Sequence, residues 1–546
     1  MKNEQGSLGI LIGAIRVSVD ATDDDILQKA RDKMKRAGLS TSSLHFRLYK
    51  KSVDARRRDD LRFECTVLAE GVREAQAYPE RLLKRADAKL WKEELPAVSI
   101  GTRPMSARPM VVGMGPAGLF SALLLARAGY APILIDRGAS IRDRVRDVER
   151  FRADGILDTE SNVQFGAGGA GTFSDGKLVT RIHDPRTSFV MRTLHEFGAP
   201  DEVLYLAKPH IGTDRLRDVV DAMLAEIERL GGEVRYRCKM EDFTEQSDGT
   251  IRVRTSQGSF SCGAMILAPG HSSRDTYLCL LEKGFALEPK PISIGFRAEH
   301  LQSDIDRALY GKFAGHPHLG HAEYALSDTR GERGVYTFCM CPGGEVVAAA
   351  SEEGGLVVNG MSNHARDGVN ANAAVLVSVT SADMEPVNGS AILGAIEFQR
   401  MIERAAFREG GLDYYAPIAT VGDFLCGKYG TSPKKIEASY RGGKCRLANF
   451  DGIYPAFLTR SLRYALGAFG KKLEGYDAPE TLLTAAETRT SAPLRIMRDP
   501  ESLCAIGRTS VYPCGEGAGY AGGITSAAID GIRVAIKIMS RFAPVN

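Results

Sequence analysis

The ten cysteines of this 546-residue chain include no Cys-x-x-Cys spacing. That excludes a disulfide framework of the secreted kind and fits a reducing compartment. No apolar run is long enough to cross a bilayer. The most apolar helical pattern, residues 117–128, falls well short of the ~20 residues a span requires. The apolar stretch Leu8 to Ile15 is followed by no cleavage site and runs on to Asp23, Asp24 and Asp25, so no signal peptide is expected. A cytoplasmic protein without a membrane partner is the expectation. Charge of one sign is also lacking. Lys and Arg number 71 against 68 Asp and Glu, and a net charge of +3 argues neither for nor against an anionic partner. Apolar residues at 44% and charged residues at 25% are ordinary for a globular chain. At ~150 residues per domain the length suggests three or four units. Glycine is in excess at 58 residues, gathered in a few loops.

The first of those loops organises the chain. Residues 109–137 read as a strand ending at Val112, a glycine turn, an apolar helix stopped by Gly129, and a second strand, Ile133 to Ile135, closed by Asp136. Gly113, Gly115 and Gly118 fall in the spacing G-x-G-x-x-G, in the strand–turn–helix context that marks a dinucleotide site. Gly113 permits the sharp turn, Gly115 lets backbone approach a pyrophosphate, and Gly118 lets the helix pack on the strand. The helix N-terminus offers free N–H groups to phosphate. Asp136, 23 residues after Gly113, is placed to accept hydrogen bonds from a ribose 2′-OH. No second turn of this kind opens a βαβ unit of its own, so a dedicated nicotinamide domain is not expected.

Residues 1–95 read as a small α+β domain: a strand from Gly9 to Val19, a helix from Asp23 to about Arg36, strands His45 to Lys50 and Leu61 to Leu68, and a helix from about Arg73 to Glu94. Arg56, Arg57 and Arg58 beside Asp59 and Asp60 suit a solvated hairpin turn or a docking surface for a protein or nucleic-acid partner. Residues 96–108 form a linker, and 109–290 the first part of a nucleotide-binding domain. Within it, the helix from Ser140 to Phe151 carries Arg144, which either swings back to the phosphates or sits exposed. Gly166, Gly168, Gly169 and Gly171 leave backbone bare to contact a cofactor. An amphipathic helix over 214–230 and strands at Glu233 to Arg237 and Ala264 to Ala268 extend a parallel sheet. From Pro291 the pattern turns to mostly antiparallel strands plus the helix Ile392 to Arg408, a substrate or cap domain over 291–485. Residues 486–546 return to the nucleotide domain, with Gly515, Gly517, Gly519, Gly522 and Gly523 before a helix starting near Ile524 and Thr525.

Three glycine motifs in this order resemble flavoproteins with a glutathione-reductase type of FAD domain. GPAGLF, FGAGGAGTFSDGKL, HIGTD, FCMCPGG, VVNGMS, ETRTSAPLRI and YPCGEGAGYAGGITSAAIDG are similar to the bacterial FAD-dependent dehydrogenases called NAD(FAD)-utilising, and KKSVDAR is similar in the N-terminal domain. The resemblance implies a Rossmann-like α/β FAD domain interrupted by the cap domain, and noncovalent FAD. It implies that Gly113, Gly115, Pro116, Ala117 and Gly118 hold the pyrophosphate, that Asp136 holds the ribose and that Met240 meets adenine; Arg137 and Arg144 are counted with the cofactor-binding residues. Gly168, Gly169, Ala170, Gly171 and Thr172 would lie toward the flavin, with Ala268 and Gly270 on the sheet. Gly515, Glu516, Gly522, Gly523, Ile524 and Thr525 would contact ribitol and the flavin pyrimidine edge, where the helix dipole favours the reduced anion. The family's usual FGEGGAG has Ala167 in place of Glu here.

FAD would carry the hydride chemistry, between flavin N5 and a small organic substrate, and its electrons would come from NADH or NADPH docking transiently, from another donor, or from the substrate itself. An RNA-modifying flavoprotein, a flavin monooxygenase and a non-catalytic flavin sensor are the alternatives, and near-neutral charge speaks against RNA. Lys177 would contact phosphate or substrate, or form a structural ion pair. Arg489 would clamp a carboxylate, or pair internally with Glu487. Tyr520 would stack or donate a proton at the flavin edge. Cys339 and Cys341, two apart on a strand, share a face, and ~6.5 Å is long for a disulfide, so buried thiols are preferred over a redox pair. His316, His318 and His321 lack an accompanying ligand set and read as a polar loop, with no metal expected.

Overall fold

The computed structural model describes residues 8–72, 78–93, 98–180 and 182–545. The N-terminal domain is an antiparallel sheet in the order His45–Asp54, Arg62–Glu70, Leu8–Ser18, Ala88–Lys92. Helix Asp23–Arg36 covers it with Ile26, Ala30 and Met34, and starts in a capping box between Thr22 and Asp25. The helix expected from about Arg73 to Glu94 is corrected. Residues 73–77 and 94 lie outside the described residues, only Glu80–Arg85 is helical, and Ala88–Lys92 is a fourth strand. Asp87, at a φ of 46°, turns the chain out of the helix, and Gly13 donates to its carbonyl at 2.9 Å.

The second unit, over the stretches expected to form a nucleotide domain, is a five-stranded parallel sheet in the order Val511–Pro513, Met265–Leu267, Met110–Val112, Ile133–Ile135, Glu233–Arg235. In chain order this is 5-4-1-2-3, the doubly wound arrangement whose switch point lies at the carboxyl ends of its central strands. Helix Pro116–Arg127 is buried from Ala117 to Ala126, packed between the sheet and helix Ile524–Arg541. Two glycines permit that. A Cβ on Gly118 would lie 1.8 Å from the Gly113 carbonyl oxygen, and one on Gly531 2.2 Å from that of Ala117. Arg103–Pro104, inside the expected linker, pairs in parallel with Phe542–Ala543.

The third unit is a seven-stranded sheet in the order Ser327–Asp328, Val335–Cys341, Asn370–Val379, Ile292–Leu301, Leu482–Glu487, Ala416–Thr420, Cys445–Leu447. All its pairs are antiparallel but the last. Helices Ala391–Glu409 and Ala456–Gly470 flank it.

His316 and His318 lie in the seam between this unit and the N-terminal domain. His316 Nε2 is 3.1 Å from Asp20 Oδ1, His318 Nδ1 is 3.0 Å from the Val19 carbonyl, and His321 Nδ1 is 2.8 Å from Asp306. The basic turn is largely neutralised, Arg56 pairing with Asp54 at 2.5 Å and Arg58 with Glu474 at 3.6 Å.

Candidate active site

Met110–Val112 ends at Gly113 because the chain turns there at a φ of 103°, with the position of a Cβ only 2.1 Å from the Ala268 carbonyl oxygen. A side chain has neither the conformation nor the room. Gly115 differs. It caps helix Pro116–Arg127 in extended conformation, with no side-chain cap, and a Cβ there would meet only Gly169 Cα, at 3.9 Å. Helix Ile524–Arg541 begins the same way, at Gly523, without a side-chain cap, and nothing lies within 4 Å of a Cβ on Gly522 or Gly523. Two helix N-termini thus leave first-turn N–H groups without side-chain acceptors.

Both caps line one cleft, with a cavity volume of about 370 Å³. Of the residues expected to hold a cofactor, Gly113, Gly115, Pro116, Ala117, Asp136, Arg137, Gly169, Ala170, Gly171, Met240, Ala268, Gly270, Glu516, Gly522, Gly523 and Ile524 line it. The Asp136 carboxylate accepts from Met114 N–H and Gly138 N–H, both at 2.8 Å, so it braces the turn as well as facing the cleft. Arg137 lies over the Phe165 ring at 4.4 Å and pairs with Asp275 at 2.8 Å.

Six expected residues stand behind the wall instead. Gly118 and Gly168 are packing positions, the latter directed at Thr172 Oγ1. Thr172 itself is buried and donates to the Ala167 carbonyl at 3.3 Å. Gly515 N–H donates to Asp530 at 2.8 Å, and Thr525 Oγ1 to the Leu178 carbonyl at 2.7 Å. Arg144 fits neither alternative raised from sequence. It is fully buried and donates to the carbonyls of Asn162, Val163 and Ala167 at 2.9, 3.0 and 2.6 Å, clamping the second glycine loop from behind. Burial pushes its guanidinium down to about 9. Ala167 is likewise fully buried and off the cleft lining.

The three residues singled out for chemistry separate. Lys177 lines the cleft, and its Nζ donates to the Met340 carbonyl, with Asp175 at 3.7 Å and Glu323 at 3.6 Å. Burial opposes its charge, but those carboxylates raise it above the ordinary lysine value. Arg489 lines the cleft too, but its forked face is taken by Glu403, with bonds of 3.0 and 2.9 Å, rather than by Glu487. Glu403 also binds Arg274 at 2.8 and 2.9 Å, so one carboxylate joins the nucleotide domain to the cap. Tyr520 is corrected. Its hydroxyl accepts from Arg498 N–H and donates to the Ile496 carbonyl, each at 3.1 Å, and its ring covers the Arg498 guanidinium at 3.7 Å. It is a structural residue outside the cleft lining.

The seven-stranded sheet contributes Cys339 and Glu487 to the same cleft, the two-stranded ribbon of Glu345–Ala348 and Val358–Met361 contributes Asn359, and the loop after strand Met265–Leu267 adds His271. Fully buried Arg297 binds Glu487 through bonds of 2.5 and 3.0 Å, Asn359 at 2.8 Å and the Cys339 carbonyl at 2.8 Å. Burial pushes Glu487 and Glu516 up to about 7, opposed by Arg297 and Lys290 respectively. Burial and then Arg489 push His271 down to about 4, so it is neutral at pH 7. Nothing in their spacing marks Asn359, His271 or Arg297, because separate strands and loops bring them together.

A protein of Clostridium beijerinckii, described only as uncharacterized, is 43% identical over 542 residues, covering 98% of this chain and 99% of its own. The two belong to one family. Residues 291–490 of this member match the family model described as FAD-dependent protein, C-terminal domain-like, which spans the cap sheet up to Thr490. Among solved structures, glycine oxidase from Geobacillus kaustophilus is 11% identical over 81% of this chain and 96% of its own, with a TM-score of 0.34. CtdE in complex with FAD is 10% identical over 79% and 83%, with a TM-score of 0.31.

Proposed function

We propose that this chain is an FAD-dependent oxidoreductase. The carrying observation is that two glycine-capped helix N-termini, at Gly115 and Gly523, and the Gly169–Gly171 loop face one cleft. The open Cβ directions of Gly115, Gly270, Gly522 and Gly523 fit a group pressed against bare backbone. FAD, when bound, would supply two-electron hydride chemistry at its N5 atom.

The chain's part is binding and orientation. N–H groups of the turn and of helix Pro116–Arg127 hold the pyrophosphate, and Asp136 and Met240 hold the adenosine end. The dipole of helix Ile524–Arg541 stabilises negative charge at its N-terminus. The substrate is a small organic molecule set against the cap sheet, where Lys177 supplies a cation and Asn359 a polar contact. Glu487, poised near 7 against Arg297, holds or yields a proton at Oε. Support for the FAD assignment also comes from the family model matched by the cap domain.

The test is anaerobic. The purified protein, reconstituted with FAD, is followed by flavin absorbance while NADH and then NADPH are added. Rapid bleaching identifies a nicotinamide-driven reductase acting on an oxidised acceptor. Stable absorbance points to a dehydrogenase reduced by its own substrate or to another electron donor. Failure to bind FAD refutes the assignment.

A further inference from the structure

Strand Val335–Cys341 breaks its ladder where it reaches the cleft. Phe338 pairs with Ala374 and Cys341 with Asn372, three steps against two. Cys339 absorbs the difference at a φ of 43°, a left-handed conformation that a non-glycine residue keeps only where its surroundings impose it. The imposing groups are cations. Arg297 donates to the Cys339 carbonyl at 2.8 Å, and Lys177 to the Met340 carbonyl. The result is an asymmetric pair of sulfurs. Cys339 is half-buried on the cleft wall, Cys341 is fully buried behind it, and the Cys341 thiol donates to the Cys339 carbonyl at 3.3 Å. A regular strand would give both side chains one environment.

The electrostatics divide the pair in the same sense. The neighbouring Cys341 thiol, then Arg297 and Lys177, hold the Cys339 thiol below its ordinary value against the effect of burial. The Cys339 thiol beside it and burial push Cys341 up. A cleft-facing thiol of lowered pKa backed by a buried thiol of raised pKa is the arrangement of an attacking and a resolving cysteine.

We propose that Cys339 and Cys341 form a redox-active pair that exchanges two electrons with flavin bound in the cleft, an inference that rests on the FAD reading above. In the reducing direction the Cys339–Cys341 S–S bond accepts two electrons and breaks. Cys339 leaves as the thiolate, and Cys341 takes one proton and becomes the thiol. The electron pair and the proton come from two-electron-reduced flavin, which is left oxidised. The reverse step closes the S–S bond and returns both to the flavin.

Two measurements test this. On the flavin-free full-length chain, thiols are counted in denaturant after reduction and again after treatment with diamide, a two-electron thiol oxidant. The count falls from ten by two, and the tryptic peptide 334–366, which holds only Cys339 and Cys341, becomes lighter by two hydrogens. Cys339→Ser and Cys341→Ser each abolish the link. On the FAD-loaded, diamide-oxidised protein, anaerobic reductive titration takes about four electron equivalents per flavin, and about two in either variant. Ten thiols surviving diamide, a link mapped to other cysteines, or a two-equivalent titration of the wild type overturns the proposal. A chain that binds no FAD overturns the reading beneath it and the exchange with it, and the thiol count separates that failure from a failure of the dithiol.

Discussion

Gly115 and Gly118 belong to one turn and should fail in different ways. At Gly115 the backbone is already extended at a φ of −71°, and a methyl group meets only Gly169 Cα at 3.9 Å, so Gly115→Ala leaves the protein folded. Alanine is a poorer helix cap than glycine, at a cost of about 1 kcal/mol. The methyl does occupy the approach of a pyrophosphate to the helix N-terminus. Losing one charge-assisted hydrogen bond costs about 1.5–3 kcal/mol, which raises the FAD Kd by roughly 10- to 100-fold. At Gly118 the methyl would lie 1.8 Å from the Gly113 carbonyl, so strand and helix must part. Gly118→Ala therefore loses stability by about 1–3 kcal/mol or more, an overpacking cost, and FAD affinity follows as a consequence. Quenching of flavin fluorescence measures the first effect, and urea unfolding of the flavin-free protein the second. Gly115→Ala binding FAD as tightly as the wild type, with an unchanged urea midpoint, would refute the placement of the pyrophosphate at this cap.

Three further outcomes follow from buried charge and hydrogen bonding. Glu403→Gln leaves Arg274 and Arg489 short of a shared counter-ion, and stability measured by urea falls by about 3–5 kcal/mol; a midpoint within error of wild type would show that the clamp is dispensable. Glu516 has its pKa raised by burial from 4.5 to about 7, so the native state holds a proton that the unfolded state releases. Its contribution makes stability fall as pH rises from about 4.5 through 7, and Glu516→Gln flattens unfolding free energy over that window, with an unaltered slope counting against the burial argument. Tyr520→Phe removes bonds to Arg498 and Ile496 and costs about 1 kcal/mol of stability while leaving FAD affinity alone. A marked loss of affinity in that variant would put Tyr520 back at the flavin.

The legible parts of the molecule were those written in local spacing. Gly113, Gly115 and Gly118 announced a turn because each meets a steric demand within a few residues. The parallel strands beside them were short unbroken apolar runs. Arg144 is not legible because a charged residue on an amphipathic helix suggests solvent or a bound phosphate, whereas its partners are three carbonyls of a loop some twenty residues away. The Cys339 bulge was hidden because period-two alternation assumes a regular strand, and the cations that distort it, Lys177 and Arg297, come from other domains or strands. For Arg489 the sequence offers a substrate carboxylate or the nearby Glu487. Its true partner, Glu403, is 86 positions away on a helix that only the tertiary fold brings alongside.

The cleft also sets a timetable for synthesis. Its first glycine cap, Gly115, is translated about 400 residues before its second, Gly523, and at ~5–20 residues per second the interval is roughly 20–80 s. Throughout that time helix Pro116–Arg127, apolar on nearly every side, has no helix Ile524–Arg541 to lie against. Gly531 cannot seat on Ala117 until residue 531 is made, nor Phe542–Ala543 on Arg103–Pro104 until residue 543 is. A ribosome stalled in the cap domain therefore presents a sticky, half-built nucleotide fold. Chains truncated before residue 509 should depend on chaperones for solubility in a way the full-length protein does not.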